Sequence, residues 1–451
     1  MALHQVCRQI FHGISNKEYE LRFLTSLIAA SQLIALSPAM AADTLHAKGQ
    51  PGARNKASVA TKESDGKVAI SIANCKKAAE YSEKFEGVSV LVIQNGKVIY
   101  EKYANGGGAD KAQELASGTK SFSGVGALAA KEDGIIDLDE KISDTITEWK
   151  DKPDRKDITV RQLLNLVSGV QTKVLNVPTY AESINANITA APGTLFQYGP
   201  APFQIFGEFM NRKLKDKTFE QYLTQRVLEP AGIKIGTWRK GKDGMALLPQ
   251  GVQITASNWA RLGELVLNRG TIDGKKILEP DDVDILFKGT SANPMYGLTW
   301  WLNRPIEESL KQKIKQLTMA TDLQYSAIGV PNDLVMAAGA GKQRLYVSRT
   351  NNLVVVRQAS KIMKALMSHD QTGFSDVAFL QLLTRGKADE KYLTAAKTLQ
   401  SKSATQGNME RQQRFLNAFD KNKNGKIDQD EKQAVREMIR ERWKQRRGQN
   451  Q

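Results

Sequence analysis

Cysteine and histidine are both scarce in this chain, two of the first and four of the second in 451 residues. Cys7 lies in a segment that reads as an export signal, so the processed chain would keep Cys75 alone. An internal disulfide framework and a zinc site built on cysteines are therefore excluded, and stability has to come from a packed apolar core. Scarcity of histidine removes a catalytic option. Beyond the signal only His46 and His369 remain, the first in a polar leader and the second in the polar loop Met367-Ser368-His369-Asp370. A Ser-His-Asp triad is hard to staff from these, so any hydrolytic chemistry needs another base. Long apolar runs are missing too. The largely apolar stretch Phe23 to Leu36 covers about 14 residues, whereas a spanning helix needs roughly 20.

What is present starts with that same stretch. Basic Lys17 and Arg22 precede it and the small residues Ala39 and Ala41 follow Ser37-Pro38, the pattern of a cleaved secretory signal over residues 1–41. Export to the periplasm or the medium is expected, with no transmembrane segment after cleavage. Composition is that of an ordinary globular protein, 41% hydrophobic and 25% charged. The formal charge of +16 invites a nucleic-acid reading, but the basic residues are spread along the chain without a nucleic-acid motif. No nucleic-acid partner is expected, and weak contact with an anionic cell envelope is the simpler account of the charge.

Local patterns divide the remainder. Residues 42–84 read as a flexible leader, polar and small over 42–74 with Pro51-Gly52 and no sustained period. Order is expected from about Glu86. Ser89 to Gln94 and Lys97 to Tyr103 flank Asn95-Gly96, a pair whose tolerance of positive φ marks a two-residue hairpin. From Gly118 to Lys131 the period turns helical, with Phe122, Val125, Leu128 and Ala129 on one face that should be buried. Further helices are expected over Val160–Val167, Pro202–Leu214, Phe219–Leu228 and Ala256–Leu267, and strands over Tyr296–Leu302, Val335–Ala338, Leu345–Ser348 and Leu353–Gln358. Strands from both ends around a helix-rich middle make an α+β fold, an antiparallel β-sheet flanked by helices plus a helical subdomain. Residues 386–408, rich in Lys, Ser, Thr and Gln, read as a linker.

Ser117-Gly118-Thr119-Lys120 places a serine at the start of the first long helix, with a lysine one turn on and on the same face. The helix N-terminus offers N–H groups and positive potential to a developing oxyanion or a carboxylate substrate. A lysine on the apolar side of a buried helix is partly desolvated, which lowers its pKa towards that of a working base. The same spacing recurs at Ser64-Asp65-Gly66-Lys67, and Ser117 taken alone is also a plain N-cap. Only Ser117 has a β-hairpin before it and an apolar helix after it.

Leu115-Ala116-Ser117-Gly118-Thr119-Lys120-Ser121-Phe122 resembles the nucleophile motif of class C β-lactamases and related esterases and peptidases. The segments Gly134 to Ile142 and Ile158 to Gly169 continue the resemblance, which covers roughly residues 85–365. It implies a β-lactamase/transpeptidase-like serine hydrolase domain over residues 85–385, with Ser117 as nucleophile and Lys120 as base. Tyr198, in Phe196-Gln197-Tyr198-Gly199-Pro200, matches the family's Tyr-x-Asn without its Asn. The resemblance implies that this phenol shares a proton with Ser117 and Lys120, as base in acylation and acid towards the leaving group; a core tyrosine is the alternative. Gly339-Ala340-Gly341, followed by Lys342, matches the family's Lys-Thr-Gly or His-Thr-Gly strand with the cationic position vacant. A backbone N–H near Lys342 would join that of Ser117 as an oxyanion hole, unless these glycines only form a turn entering a strand. In the family the missing Asn and Lys help hold the amide and carboxylate of penicillins and peptidoglycan peptides. Their loss points to an ester or small amide rather than efficient β-lactam hydrolysis.

Near the end, Asp420-Lys421-Asn422-Lys423-Asn424-Gly425-Lys426-Ile427-Asp428-Gln429-Asp430-Glu431 fits a calcium-binding EF-hand loop at every diagnostic position. Oxygens would come from Asp420, Asn422, Asn424, the Lys426 carbonyl, Asp428 and a bidentate Glu431, with apolar helices on either side across residues 409–447. Lysines at 421, 423 and 426 oppose a dication, which places the affinity near roughly 10⁻⁴ to 10⁻³ M and suits a structural ion. No cofactor is needed for catalysis. The basic run Arg436 to Arg447 with Trp443 would touch anionic lipid or polymer, or simply be a solvated helix face. The reading is an exported serine hydrolase acting on a small-molecule or peptide-like substrate. Two alternatives stay open: an impaired relative that only binds an envelope ligand, and a true β-lactamase or D-Ala-D-Ala peptidase.

Overall fold

A computed structural model of the chain describes residues 67–172, 176–314, 321–367 and 373–393, with isolated positions 428, 429 and 431. The chain divides into two units, residues 64–403 and residues 1–63 with 404–451. The signal segment and most of the expected EF-hand lie outside the described residues. Among those described, no helix is long and apolar enough to cross a membrane.

The larger unit begins earlier than its sequence indicates. Helix α1 (Ile72–Lys84) occupies what reads as the end of the leader. The Ser71 hydroxyl accepts from the Asn74 N–H at the helix start, and Cys75, Ala78, Ala79, Tyr81 and Ser82 form a buried stripe. Lys76, Lys77, Glu80, Glu83 and Lys84 between them hide that stripe from a composition-based reading. The far boundary moves as well: Tyr392, within the expected linker, is buried, and its hydroxyl donates to Gln324 Oε1 at 2.9 Å.

Strands β1 (Gly87–Gln94) and β2 (Lys97–Tyr103) form the expected hairpin, with Asn95 and Gly96 at φ 52° and 71°. Short strands β3 (Gln113–Glu114), β4 (Thr237–Trp238) and β5 (Val252–Ile254) make a small sheet, and β6 (Thr271–Ile272) and β7 (Lys275–Lys276) a separate hairpin. Four later strands, β8 (Trp301–Leu302), β9 (Val335–Gly339), β10 (Gln343–Ser348) and β11 (Leu353–Ala359), join the first pair. The resulting antiparallel sheet has the order β2-β1-β11-β10-β9-β8. The fold is therefore the expected α+β of the β-lactamase/transpeptidase type, with β1 and β11, the first and last of the described strands, paired with each other. Only the tail of the expected strand Tyr296–Leu302 is strand. The run doubles back at Gly297–Thr299, where Gly297 N–H donates to Trp300 O and Thr299 sits at φ 73°, and Tyr296 is laid against Trp301.

Side-chain alternation assigns the two faces of the sheet. Leu345, Val347 and Val354 meet Gly263 of a helix spanning Ala256–Leu267, where a Cβ would stand 2.8 Å from Leu345 Cδ1. On the opposite face Tyr346 stacks on Phe379 of a helix spanning Asp376–Arg385, while Arg357 reaches Ser82 of α1. Helix α2 (Lys120–Glu132) is more deeply placed than a one-sided stripe implies: Lys120 to Ala130 are all buried. Its small residues make this feasible, since a Cβ on Gly124 would overlap Thr299 and one on Gly126 would meet the Phe219 ring.

Candidate active site

The serine expected as nucleophile stands on a tight entry into α2. Leu115 N–H donates to Val252 O at 2.9 Å, anchoring the turn to β5, and Gly118 N–H closes it on Leu115 O at 2.9 Å. Ala116, immediately before Ser117, lies at φ 47°, a conformation unfavourable for a residue with a Cβ. A 3₁₀ turn over Ala116–Thr119 then leads into the α-helix. The outcome is a half-buried Ser117 among buried Ala116, Gly118, Thr119 and Lys120.

Lys120 is 4% exposed, and its Nζ donates to Ser117 Oγ at 3.1 Å and to the carbonyl of Pro249 at 2.9 Å. Burial pushes its pKa down to about 7. Two rings flank the amine: Nζ lies 4.9 Å from the centroid of Tyr198 and 5.4 Å from that of Phe203. Gln204, fully buried on helix α3 (Ala201–Leu214), accepts from Leu248 N–H at 3.2 Å and so pins the segment that presents Pro249.

Tyr198 reaches the site from just ahead of α3. Its ring belongs to an aromatic group with Phe196, Tyr296 and Trp301, with centroids 5.5 Å from Trp301 and 6.2 Å from Tyr296. Where the resembled motif has an asparagine, Pro200 precedes the helix. Gly199 between them leaves room for Thr172, which a Cβ would overlap.

Gly339 at the end of β9 closes the opposite wall. A Cβ there would overlap the Leu115 carbonyl and stand 2.9 Å from Gly118 N, so only glycine lets the strand lie against the serine turn. Gly339→Val should therefore displace Ser117 and lower turnover by about 10²-fold, read as kcat/KM on a reporter ester with a melting curve as the folding control. Ala340 is half-buried, and Gly341 and Lys342, at φ 74° and 61°, turn the chain into β10. The segment is thus a strand end plus a hairpin turn. Lys342 is 5% exposed, with its ammonium 3.9 Å from Asp376 Oδ2.

Behind the turn lies a charged cluster with no signature in the sequence. Asp376, fully buried, accepts from Arg344 Nε at 2.6 Å, Arg344 Nη2 at 3.1 Å, Tyr346 hydroxyl at 2.6 Å and Thr321 hydroxyl at 3.2 Å. Burial alone would raise its pKa, but Arg344 and Lys342 outweigh it and hold the carboxyl well below the usual range. Neighbouring Asp322 is pushed up to about 6 by burial and then by the charge of Asp376. Arg357, also fully buried, donates to the carbonyls of Gly341 and Lys342 at 3.0 and 2.8 Å.

The sequence profile of the family described as Beta-lactamase matches residues 72–361, from the start of α1 to just past β11. The chain belongs to the beta-lactamase family. Members of this family are typically serine hydrolases. Protein flp of Staphylococcus aureus strain MW2 is 26% identical over 175 residues, 34% of this chain and 35% of that protein. The match thus spans about a third of the length of this curated relative. A protein of Bacillus anthracis provisionally assigned as a 6-aminohexanoate-dimer hydrolase superposes with a TM-score of 0.50 at 19% identity, over 65% of this chain and 79% of its own. One from Bacteroides dorei, provisionally assigned as a beta-lactamase, has the same TM-score at 18% identity, over 63% and 89%. These two show the shared beta-lactamase fold.

Of the expected metal ligands, Asp420, Asn422, Asn424 and Lys426 lie outside the described residues. Asp428 and Glu431 are described, and the Asp428 N–H donates to Glu431 Oε2 at 3.0 Å.

Proposed function

We propose that this chain is an exported serine hydrolase that acts through an acyl-enzyme on an ester or small amide. The observation that carries the reading is the buried amine of Lys120, 3.1 Å from the hydroxyl of Ser117 and pushed towards neutrality. A neutral lysine takes the proton of Ser117 as its Oγ attacks the carbonyl carbon. Tyr198, against the same amine, carries the proton on to the leaving group. Ser117 N–H at the helix start and a backbone N–H of the Gly339–Lys342 segment receive the oxyanion. This chemistry needs no metal or organic cofactor.

The substrate preference follows from the two altered motifs. Proline in place of the asparagine amide, and Lys342 directed at Asp376, leave no obvious grip on the amide and carboxylate of a β-lactam. The same facts favour a second reading, an impaired relative that binds an envelope ligand without turnover. Incubation with a fluorophosphonate probe, followed by a panel of short-chain nitrophenyl esters, a linear amide and nitrocefin, separates these readings. Labelling with ester turnover well above nitrocefin turnover is expected. No labelling and no turnover would leave the binding protein, and fast nitrocefin turnover alone would restore the β-lactamase.

The C-terminal loop is proposed to hold a structural calcium ion. Its donors are all oxygen, as a hard cation requires, and the backbone of Asp428 already orients the Glu431 carboxylate. Calorimetry on the full chain should show binding near roughly 10⁻⁴ to 10⁻³ M that Glu431→Gln removes. Absence of calcium-dependent heat in the wild type would overturn this assignment.

A further inference from the structure

The serine site of a hydrolase needs a second oxyanion donor held rigidly, and the structure offers a device for that on the far side of the sheet. Arg344 is fully buried, with one edge of its guanidinium paired bidentately to Asp376. Its remaining arm, Nη1, donates to the carbonyl of Gly339 at 3.1 Å and to that of Gln343 at 3.0 Å. Gly339 is the residue that lies against the Ser117 turn.

The geometry of a peptide unit does the rest. The described peptide bonds include no cis bond, so the carbonyl of Gly339 and the N–H of Ala340 point in opposite directions from one plane. With the carbonyl directed at Arg344, on the β10 side, the N–H is directed to the other edge of β9. Among the described strands none pairs with that edge at this level, because β8 pairs with Val335 and Met336 further back. Ala340 is half-buried and follows Gly339, the residue that lies against the turn carrying the half-buried Ser117.

We propose that Arg344, fixed by Asp376, is a positioning residue that sets the Gly339–Ala340 peptide so that the Ala340 N–H is the second oxyanion donor. This rests on the acyl-enzyme reading above. It assigns the donor two residues ahead of Lys342, whose carbonyl and side chain are engaged by Arg357 and Asp376. A lysine in place of Arg344 keeps the charge opposite Asp376 but has no second arm for Gly339. Asp376→Asn keeps shape while weakening the fork that orients Arg344.

The test compares an ester with its thionoester, whose larger and weaker acceptor sulfur fits an oxyanion hole poorly. In Arg344→Lys and Asp376→Asn, kcat on the ester should fall by about 10- to 10²-fold with KM nearly constant. The ester-to-thionoester ratio of kcat/KM should contract about tenfold, and the half-maximal pH, set by Lys120, should stay in place. An unchanged ratio would reduce both residues to structural supports. Absence of Ser117-dependent turnover in the wild type would instead sink the underlying hydrolase reading. Should either variant not fold, a crystal structure of the wild type with an arylboronate decides. A boronate oxygen within about 3.2 Å of Ala340 N supports the assignment, and one on Lys342 N overturns it.

Discussion

Ser117→Ala should lower ester turnover by about 10⁴- to 10⁶-fold and abolish labelling by a fluorophosphonate, while leaving the melting temperature almost unchanged. In the proposed acyl-enzyme chemistry the Oγ forms the covalent bond, so no neighbour substitutes for it. Ser117 is half-buried, and Lys120 keeps its second acceptor, the Pro249 carbonyl, when the hydroxyl is gone. A surface-type change of this kind costs about 0.5 kcal/mol or less. Retained labelling in the alanine variant would place the reactive group elsewhere and end the assignment.

Lys120→Met should produce two effects of opposite sign. Turnover is lost, because the base is removed, and the fold becomes more stable. The pKa of Lys120 is pushed down to about 7 in the folded chain by burial, against 10.5 for the free side chain. Between these two values the unfolded chain binds the proton and the folded chain does not, so stability rises with pH across that window. Below pH 7 both states are protonated, and the folded state carries the full cost of a buried charge. That cost is on the order of a few kcal/mol, which methionine of similar shape avoids. Denaturant unfolding at pH 6 and pH 9 should therefore show a gain for Lys120→Met that shrinks at the higher pH. In the wild type, kcat/KM should climb with pH through about 7. A flat profile from pH 6 to 8, or a destabilised methionine variant, would exclude a neutral buried lysine as the base.

How far the chain could be read without coordinates depends on how local each determinant is. The Asn95-Gly96 hairpin, the helix Ala256–Leu267 and the serine–lysine pair one turn apart were all legible, since each is fixed by neighbours in sequence. The helix Ile72–Lys84 was not, because its apolar stripe is thin and becomes meaningful only when Asp376–Arg385 and β1 cover it. Tyr296–Leu302 misled for the converse reason. Its residues suit a strand, but Gly297 and Thr299 reverse the chain so that Tyr296 can pack on Trp301.

Sequence alone determined the α+β class and singled out the nucleophile candidate and its lysine, because these follow from periodicity, from spacings of a few residues and from the resemblance of the segments around them. Tertiary structure alone decided what surrounds them. The Pro249 carbonyl, 129 positions from Lys120, and the Asp376 carboxylate, 32 from Arg344, are brought in by packing. Desolvation and the aim of a peptide plane depend on which distant atoms exclude water and which accept or donate, and no local pattern of residues encodes that.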